Sequence, residues 1–368
     1  MGSFPNGNKV YREISDFALG VFEGVRGSRA SLTLDANNLI SANDTTSRYH
    51  GGVYYYGRYS SSCLYVNFKE AIISWEANTP PGTWIAVDAR VQVKGNWSKW
   101  YNMGTWLEHN LPFSRHSTNN QGDSIGNVNT DTLIIVDIAT AIEVQVSLFT
   151  LDPAVSPSVR SVGITFSQEL DKAGLVPRIG LVSNLSVPKR SQMLFHSEGG
   201  KRWCSPSCIS MVMAYWADVM GKNSIDNPIP RIVQGVWDFA YGGSGNWAFN
   251  TAYAASFGLH AKVVRLSSLV ELEYWTAAGV PVIVSIAFRR GQLKNAPLLF
   301  SSGHLVVIRG FDKNGDVLTN DPAAPSDDTV SITYDRIQFE NAWLNKSNGT
   351  VYLIYPTGWK IPKSNGKW

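Results

Sequence analysis

The chain has 368 residues, 44% of them hydrophobic and 17% charged, with a formal net charge of +3. It is longer than one typical domain and apolar enough for folded cores, which excludes a disordered chain. The small charge, with no long run of Lys and Arg, removes nucleic acid as an expected partner. No apolar stretch has the length of a membrane span, and three cysteines exclude a disulfide-built scaffold.

The amino end, "MGSFPNGNKV", lacks the basic start and apolar core of a signal peptide. The next 150 or so residues are strand-like. "TWIAVDARVQV" puts Ile85, Val87, Ala89, Val91 and Val93 on one face, and "AIEVQVSLF" repeats the alternation with Ile142, Val144, Val146 and Leu148. Turn-rich "ANTPPG", "VKGNW" and "STNNQGDSIGN" separate the strands, and no long amphipathic helix precedes about residue 168. The expectation for residues 1–167 is an all-β sandwich or jelly roll. Of its tryptophans Trp75, Trp84, Trp97, Trp100 and Trp106, some must fill the core. Others can form a stacking platform, so a carbohydrate or cell-surface ligand is an expectation for this domain. Glu70, Glu76 and Asp88 find no matching acid for glycoside hydrolysis. Cys63, in "SCLYVNF", is expected in the core.

Between 168 and 187 the alternation fades into a linker, and residues 188–368 have a different texture. Pro206 to Met220 carries Ile209, Met213, Trp216 and Met220 at helical spacing, with Gly221 as a stop. "PIPRIVQGVWDFAYGG" and "NWAFNTAYAASFG" predict two more glycine-ended helices, and "SLVELEYWTAAG" opens with Ser268 and Glu271 at capping-box spacing. "PVIVSIAF", "GHLVVIRGFD", "GDVLTND", "TVSITYD" and "GTVYLIYP" predict strands, the second and third joined by a turn at Asn314-Gly315. Helices followed by an antiparallel sheet make an α+β domain.

Cys204 sits at the start of a helix, where unpaired N–H groups and the helix dipole favour thiolate. A buried packing cysteine is the alternative. A thiolate nucleophile needs a base, and the base needs an orienting group. His304 opens one apolar strand and Asp321 closes the next across a turn, so antiparallel pairing brings the two together. Gln192, shortly upstream of Cys204, can supply an amide donor to an oxyanion. Cys208, one turn beyond Cys204, reads as a buried helix residue; a disulfide would disable the nucleophile, and a metal site lacks ligands. Trp203 and Trp247 either line a substrate cleft or cover the helix packing. His196 is set aside as a base.

This ordered set resembles the C39-like cysteine peptidases of the papain-like fold. The matching pieces are Gln192, "WCSPSCISMVMAYW", "GNWAFNTAYAASFGL", "GVPVIVSI", "SSGHLVVIRGFDKNGDVLTNDPAA" and "FENAWL", over about residues 185 to 356. The resemblance implies a papain-like domain in which Cys204 is the nucleophile, His304 the general base and acid, Asp321 the orienting group and Gln192 an oxyanion donor. Ser205 departs from the family's usual Gly after the cysteine. Well-known members are fused to transporters and trim double-glycine leader peptides, whereas this chain has neither a membrane span nor a P-loop, so that substrate does not carry over.

The expected activity is hydrolysis of a peptide or protein substrate through a thioester, without cofactor or metal. A peptide-binding or adhesion module that keeps the fold, and acyl transfer or peptidoglycan stem-peptide cleavage by the same residues, are the alternatives. A stand-alone peptidase with an aromatic β-domain is expected to be secreted or extracytoplasmic in a bacterium, its leader removed, with the cytoplasm as the alternative.

Overall fold

Alternating apolar residues produce long strands in the first part of the chain. In the computed structural model, which describes residues 6–11, 14–27, 31–167, 179–363 and 368, the strand Thr132–Thr150 pairs antiparallel with Leu64–Asn78 through its first half and with Thr83–Val93 through its second. Gly52–Ser60 flanks that second half on the other side. Because the long strand changes partners midway, hydrogen bonds link the thirteen strands found among the described residues of this mostly-β part into one sheet, rather than the two separate sheets of a simple sandwich.

Ile85, Val87, Ala89, Val91, Ile142, Val144, Val146 and Leu148 are buried, and Val93 is half-buried where its strand runs out. The opposite face is also covered near residue 84. Trp84, Ala86 and Phe149 join Tyr49 and Leu107 in a second core cluster, with the Trp84 and Phe149 rings stacked 5.2 Å apart. Cys63 lies just before the strand Leu64–Asn78 and is half-buried, so it is not the core residue expected. Burial raises its thiol pKa, and its side chain is hydrogen-bonded to Tyr65.

Contacts group Lys9–Gln168 with Trp237–Ala252 as one unit, and the rest of the chain as another. The boundary expected at 188 would instead leave Trp237–Ala252 in the second domain. The chemistry that holds this segment in the β unit is specific. Asp238 accepts N–H bonds from Ser117, Ala240 and Tyr241 at 3.0, 3.1 and 3.1 Å, and Phe239 N–H donates to the Arg115 carbonyl. The Phe249 ring lies 5.4 Å from Trp106 and 6.1 Å from Trp75. By capturing two backbone N–H groups just after it, Asp238 also stops the helix predicted through "WDFAYGG" at Val236.

The second unit is α+β. Its helices are α1 (Cys204–Met220), α2 (Ile229–Val236), the C-terminal part of α3 (Trp247–Ser256), α4 (Leu269–Ala277) and α5 (Arg336–Ser347). Its strands are β1 (Leu259–Arg265), β2 (Val282–Phe288), β3 (Ser301–Phe311), β4 (Val317–Asn320), β5 (Ser331–Tyr334) and β6 (Thr350–Pro356), in the antiparallel order β1-β6-β2-β3-β4-β5. Gly221 ends α1 in the left-handed conformation at φ 62°. Ser268 precedes α4 without the side-chain cap its spacing predicted; Glu271 instead accepts the Ser267 N–H at 2.6 Å. The β3–β4 turn is closed by Asp312, which accepts from Asn314 and Asp316, with Gly315 at φ 85°. Among the described residues, no helix is long and apolar enough to cross a membrane.

Of the linker expected at 168–187, residues 168–178 lie outside the described residues. Beyond them Ser183–Asn184 adds a short edge strand to β3. That pairing depends on Gly310: at φ 156°, a Cβ there would lie 1.8 Å from the Ser183 carbonyl oxygen. Gly310→Ala is therefore expected to destabilise the fold by about 1–3 kcal/mol, the usual cost of overpacking and strain, with faster hydrogen exchange at Ser183 to Leu185. Unchanged urea unfolding and exchange would contradict the packing described.

Candidate active site

Helix α1 begins at Cys204 itself, behind a Trp203 that offers no side-chain cap. The first N–H groups of a helix have no intrahelical partner, so negative charge is favoured there. Burial pushes the Cys204 thiol up, but the hydrogen bond and charge of His304 outweigh it and, with the Leu305 and Ser205 N–H groups, hold the thiol below its ordinary value. Cys208, one turn on, is fully buried and donates to the Leu305 carbonyl at 3.3 Å. Burial raises its pKa well above the ordinary value, so it stays a thiol. The Leu305 peptide thus touches both cysteines, its N–H at the first and its carbonyl at the second.

His304 lies four positions into β3, opposite Ile286 of β2. Pairing of Val307 with Asn320 leaves Asp321 just past the end of β4, and its Oδ1 lies 2.7 Å from His304 Nε2. This engages one ring nitrogen and leaves Nδ1 to face Cys204. His304 and Asp321 are 2% and 1% exposed. Burial would disfavour the imidazolium, but the Asp321 charge and hydrogen bond overcome it and raise the His304 pKa. Asp321 is held below the usual carboxylate range: its burial penalty is offset by His304, the Tyr334 hydroxyl at 2.7 Å and the Ala323 N–H at 2.9 Å. No sequence pattern points to Tyr334. It is the last residue of β5, and its hydroxyl meets Asp321 only because β5 pairs with β4.

Gln192 opens a 3-10 helix, Gln192–Glu198, and is 2% exposed. Its backbone N–H donates to the carbonyl of Pro322, the neighbour of Asp321, at 2.9 Å. Its side-chain Oε1 is buried with no hydrogen-bond partner among the described residues. Gly200 makes this local packing feasible, since a Cβ there would lie 2.2 Å from the Gln192 carbonyl oxygen.

This geometry sits in a chain whose two parts each match a family model. Residues 8–167 match that of the peptidase C39 N-terminal domain, and residues 184–351 match that of the peptidase C39-like family. The chain belongs to the peptidase C39-like family. No curated protein matches it. Among solved structures, a protein described as a C39-like peptidase from Bacillus anthracis is 16% identical, with a TM-score of 0.35 over 47% of this chain and 96% of that one. TmCBM61, solved in complex with β-1,4-galactotriose, is 9% identical, with a TM-score of 0.19 over 44% of this chain and 88% of that one.

Within the C39-like domain, Ser205 is buried and its hydroxyl lies 3.0 Å from that of Tyr352, so the side chain is taken up by packing. Trp203 is 8% exposed, with its ring 5.9 Å from Phe195. Trp247 is half-buried in the other unit, where its backbone N–H donates to Asp131. His196 is exposed. In the C39 N-terminal domain Trp75, Trp84 and Trp106 are core residues, whereas Trp97 and Trp100 each lie 4.8 Å from the Arg90 guanidinium. Among the described residues, no group of three or more His, Cys, Asp or Glu side chains could hold a metal ion.

The electrostatics make a direct prediction for Cys204. Its iodoacetamide labelling is expected to follow an apparent pKa below the free-thiol value of about 8.5. His304→Ala removes the charge and hydrogen bond that lower the pKa and leaves burial, so the apparent value should rise above the free one. Labelling rates that ignore this substitution would break the Cys204–His304 link.

Proposed function

We propose that the protein is a cysteine peptidase of papain-like architecture, acting on peptide or protein substrates. The observation that carries this reading is the series from half-buried Cys204 to buried His304 and Asp321, in which each group shifts the ionisation of the next toward the state the chemistry needs. The family match supports it independently.

In this reading the Cys204 thiolate attacks the scissile carbonyl carbon, and the π electrons move to oxygen. The Gln192 amide and the N–H groups at the start of α1 stabilise that oxyanion. His304 gives its proton to the leaving amine as the C–N bond breaks, which leaves a thioester on Cys204. Neutral His304 then takes a proton from water, the hydroxide carbon–oxygen bond forms, and collapse expels the thiolate. Asp321 stabilises the imidazolium and fixes the ring so that Nδ1 serves both transfers.

Cleavage of a peptide library, followed by mass spectrometry, tests the assignment. Cys204→Ala should abolish cleavage without changing the fold, and Gln192→Ala should lower kcat about 10²–10³-fold with KM little changed. The pH profile of kcat/KM should be bell-shaped. Its acid limb reports Cys204 and lies below the free-thiol pKa; its alkaline limb reports loss of the His304 proton and lies above the ordinary imidazole range. Cleavage that persists in Cys204→Ala would refute the proposal.

A further inference from the structure

The β2–β3 hairpin carries a second feature beside the site. Ala287, Phe288, Arg289, Arg290, Phe300 and Ser301, with Ser302, line a cavity of ≈ 480 Å³. Phe288 pairs with Ser301 across the two strands, and Ile286 with His304, separated by a one-residue shift of register. Ser301 is three residues from His304, about 10 Å at the ordinary strand rise. Local irregularities of this kind commonly re-aim side chains next to a site of chemistry.

The cavity has the composition of a selective pocket, apolar walls with a few convergent polar groups. Phe288 is buried, and Phe300 is 71% exposed at the rim. Arg289 and Arg290 are exposed, and among the described residues neither guanidinium has an ion-pair or hydrogen-bond partner. Only the Arg289 backbone is engaged, its N–H by Gln292 Oε1 and its carbonyl by the Gln292 N–H, which closes the turn through Gly291 at φ 80°. From 287 to 304 the chain carries Arg289, Arg290 and Lys294 and not one Asp or Glu. Two adjacent unpaired guanidiniums at an aromatic-walled cavity match a carboxylate on a short apolar stem, because Arg binds carboxylate in a bidentate fork.

We propose that this cavity is a subsite that takes an Asp or Glu side chain of the peptide opened at Cys204, an inference that rests on the peptidase reading. Phe288 and Phe300 cover the methylene stem, and Arg289 and Arg290 receive the carboxylate.

A random peptide library digested by the intact protein tests it. Cut sites should be enriched for Asp or Glu over Gln at one fixed position, about tenfold for one charge-assisted contact, and the enrichment should shrink as NaCl is raised. The R289E/R290E variant should exchange that preference for Lys or Arg at the same position, and R289K/R290K should keep the acidic one. Cleavage without acidic enrichment, or with enrichment unaltered in R289E/R290E, would overturn the subsite. If the wild-type protein cuts nothing, the peptidase reading fails, and fluorescence anisotropy of a labelled Gly-Glu repeat peptide decides the site by itself. Binding that R289E/R290E abolishes upholds the acidic-peptide pocket, and absence of binding removes it.

Discussion

A carboxylate taken out of water costs several kcal/mol unless charge and hydrogen bonds replace its hydration. Asp321 meets that condition with three partners, the His304 ring, the Tyr334 hydroxyl and the Ala323 N–H. Its backbone is fixed as well, since its N–H donates to the Val330 carbonyl at 2.7 Å. Everything at the site hangs from this one buried charge. It sets which ring nitrogen faces outward and how firmly His304 keeps its proton, and through His304 it sets the ionisation of Cys204. The same loop holds Gln192 through Pro322, so the orienting acid and the amide upstream of Cys204 share one anchor.

The two cysteines show how environment divides identical chemistry. Both lie on α1 and both contact the Leu305 backbone, yet one is hydrogen-bonded to His304 and the other is buried against a carbonyl, with the charges of Cys204 and Asp321 nearby. The first is driven toward thiolate and the second toward thiol. A helix start alone would not separate them. What separates them is the strand that delivers a cation to one position and not to the position one turn below.

Much of this was legible in the order of residues. Alternation located the strand 83–93 and the second half, 141–149, of the strand 132–150, and the hairpin turn at Asn314-Gly315 was sufficient to bring His304 and Asp321 together. What escaped was long-range. Strand β1 has both faces buried, so it lacks the alternation that reveals a half-exposed strand. Helix α5 is marked by Asp335, which accepts the Gln338 N–H, but its sequence reads as a plain polar stretch until it packs. Tyr334 and Gly200 owe their roles to neighbours more than ten residues away or to a close backbone approach, and no local pattern encodes either. The contact grouping differs from the division at the linker, which the two family matches follow, for a related reason: Asp238 and Phe249 look like helix residues of the domain around them, and their partners Ser117, Trp75 and Trp106 draw them to the β unit.

That division has a consequence for how the protein can be taken apart. The chain passes between its two units at Asn8–Lys9, at the linker, and twice more, at Val236–Trp237 and at Ala252–Tyr253. A nick in the linker would therefore release neither piece. Nor can the β unit be exchanged as a cassette, because a C39-like half grafted onto another carrier would arrive with Phe249 and Asp238 bereft of their hosts. Recombination that respects only the linker would break the pair, so the two halves are expected to be inherited together.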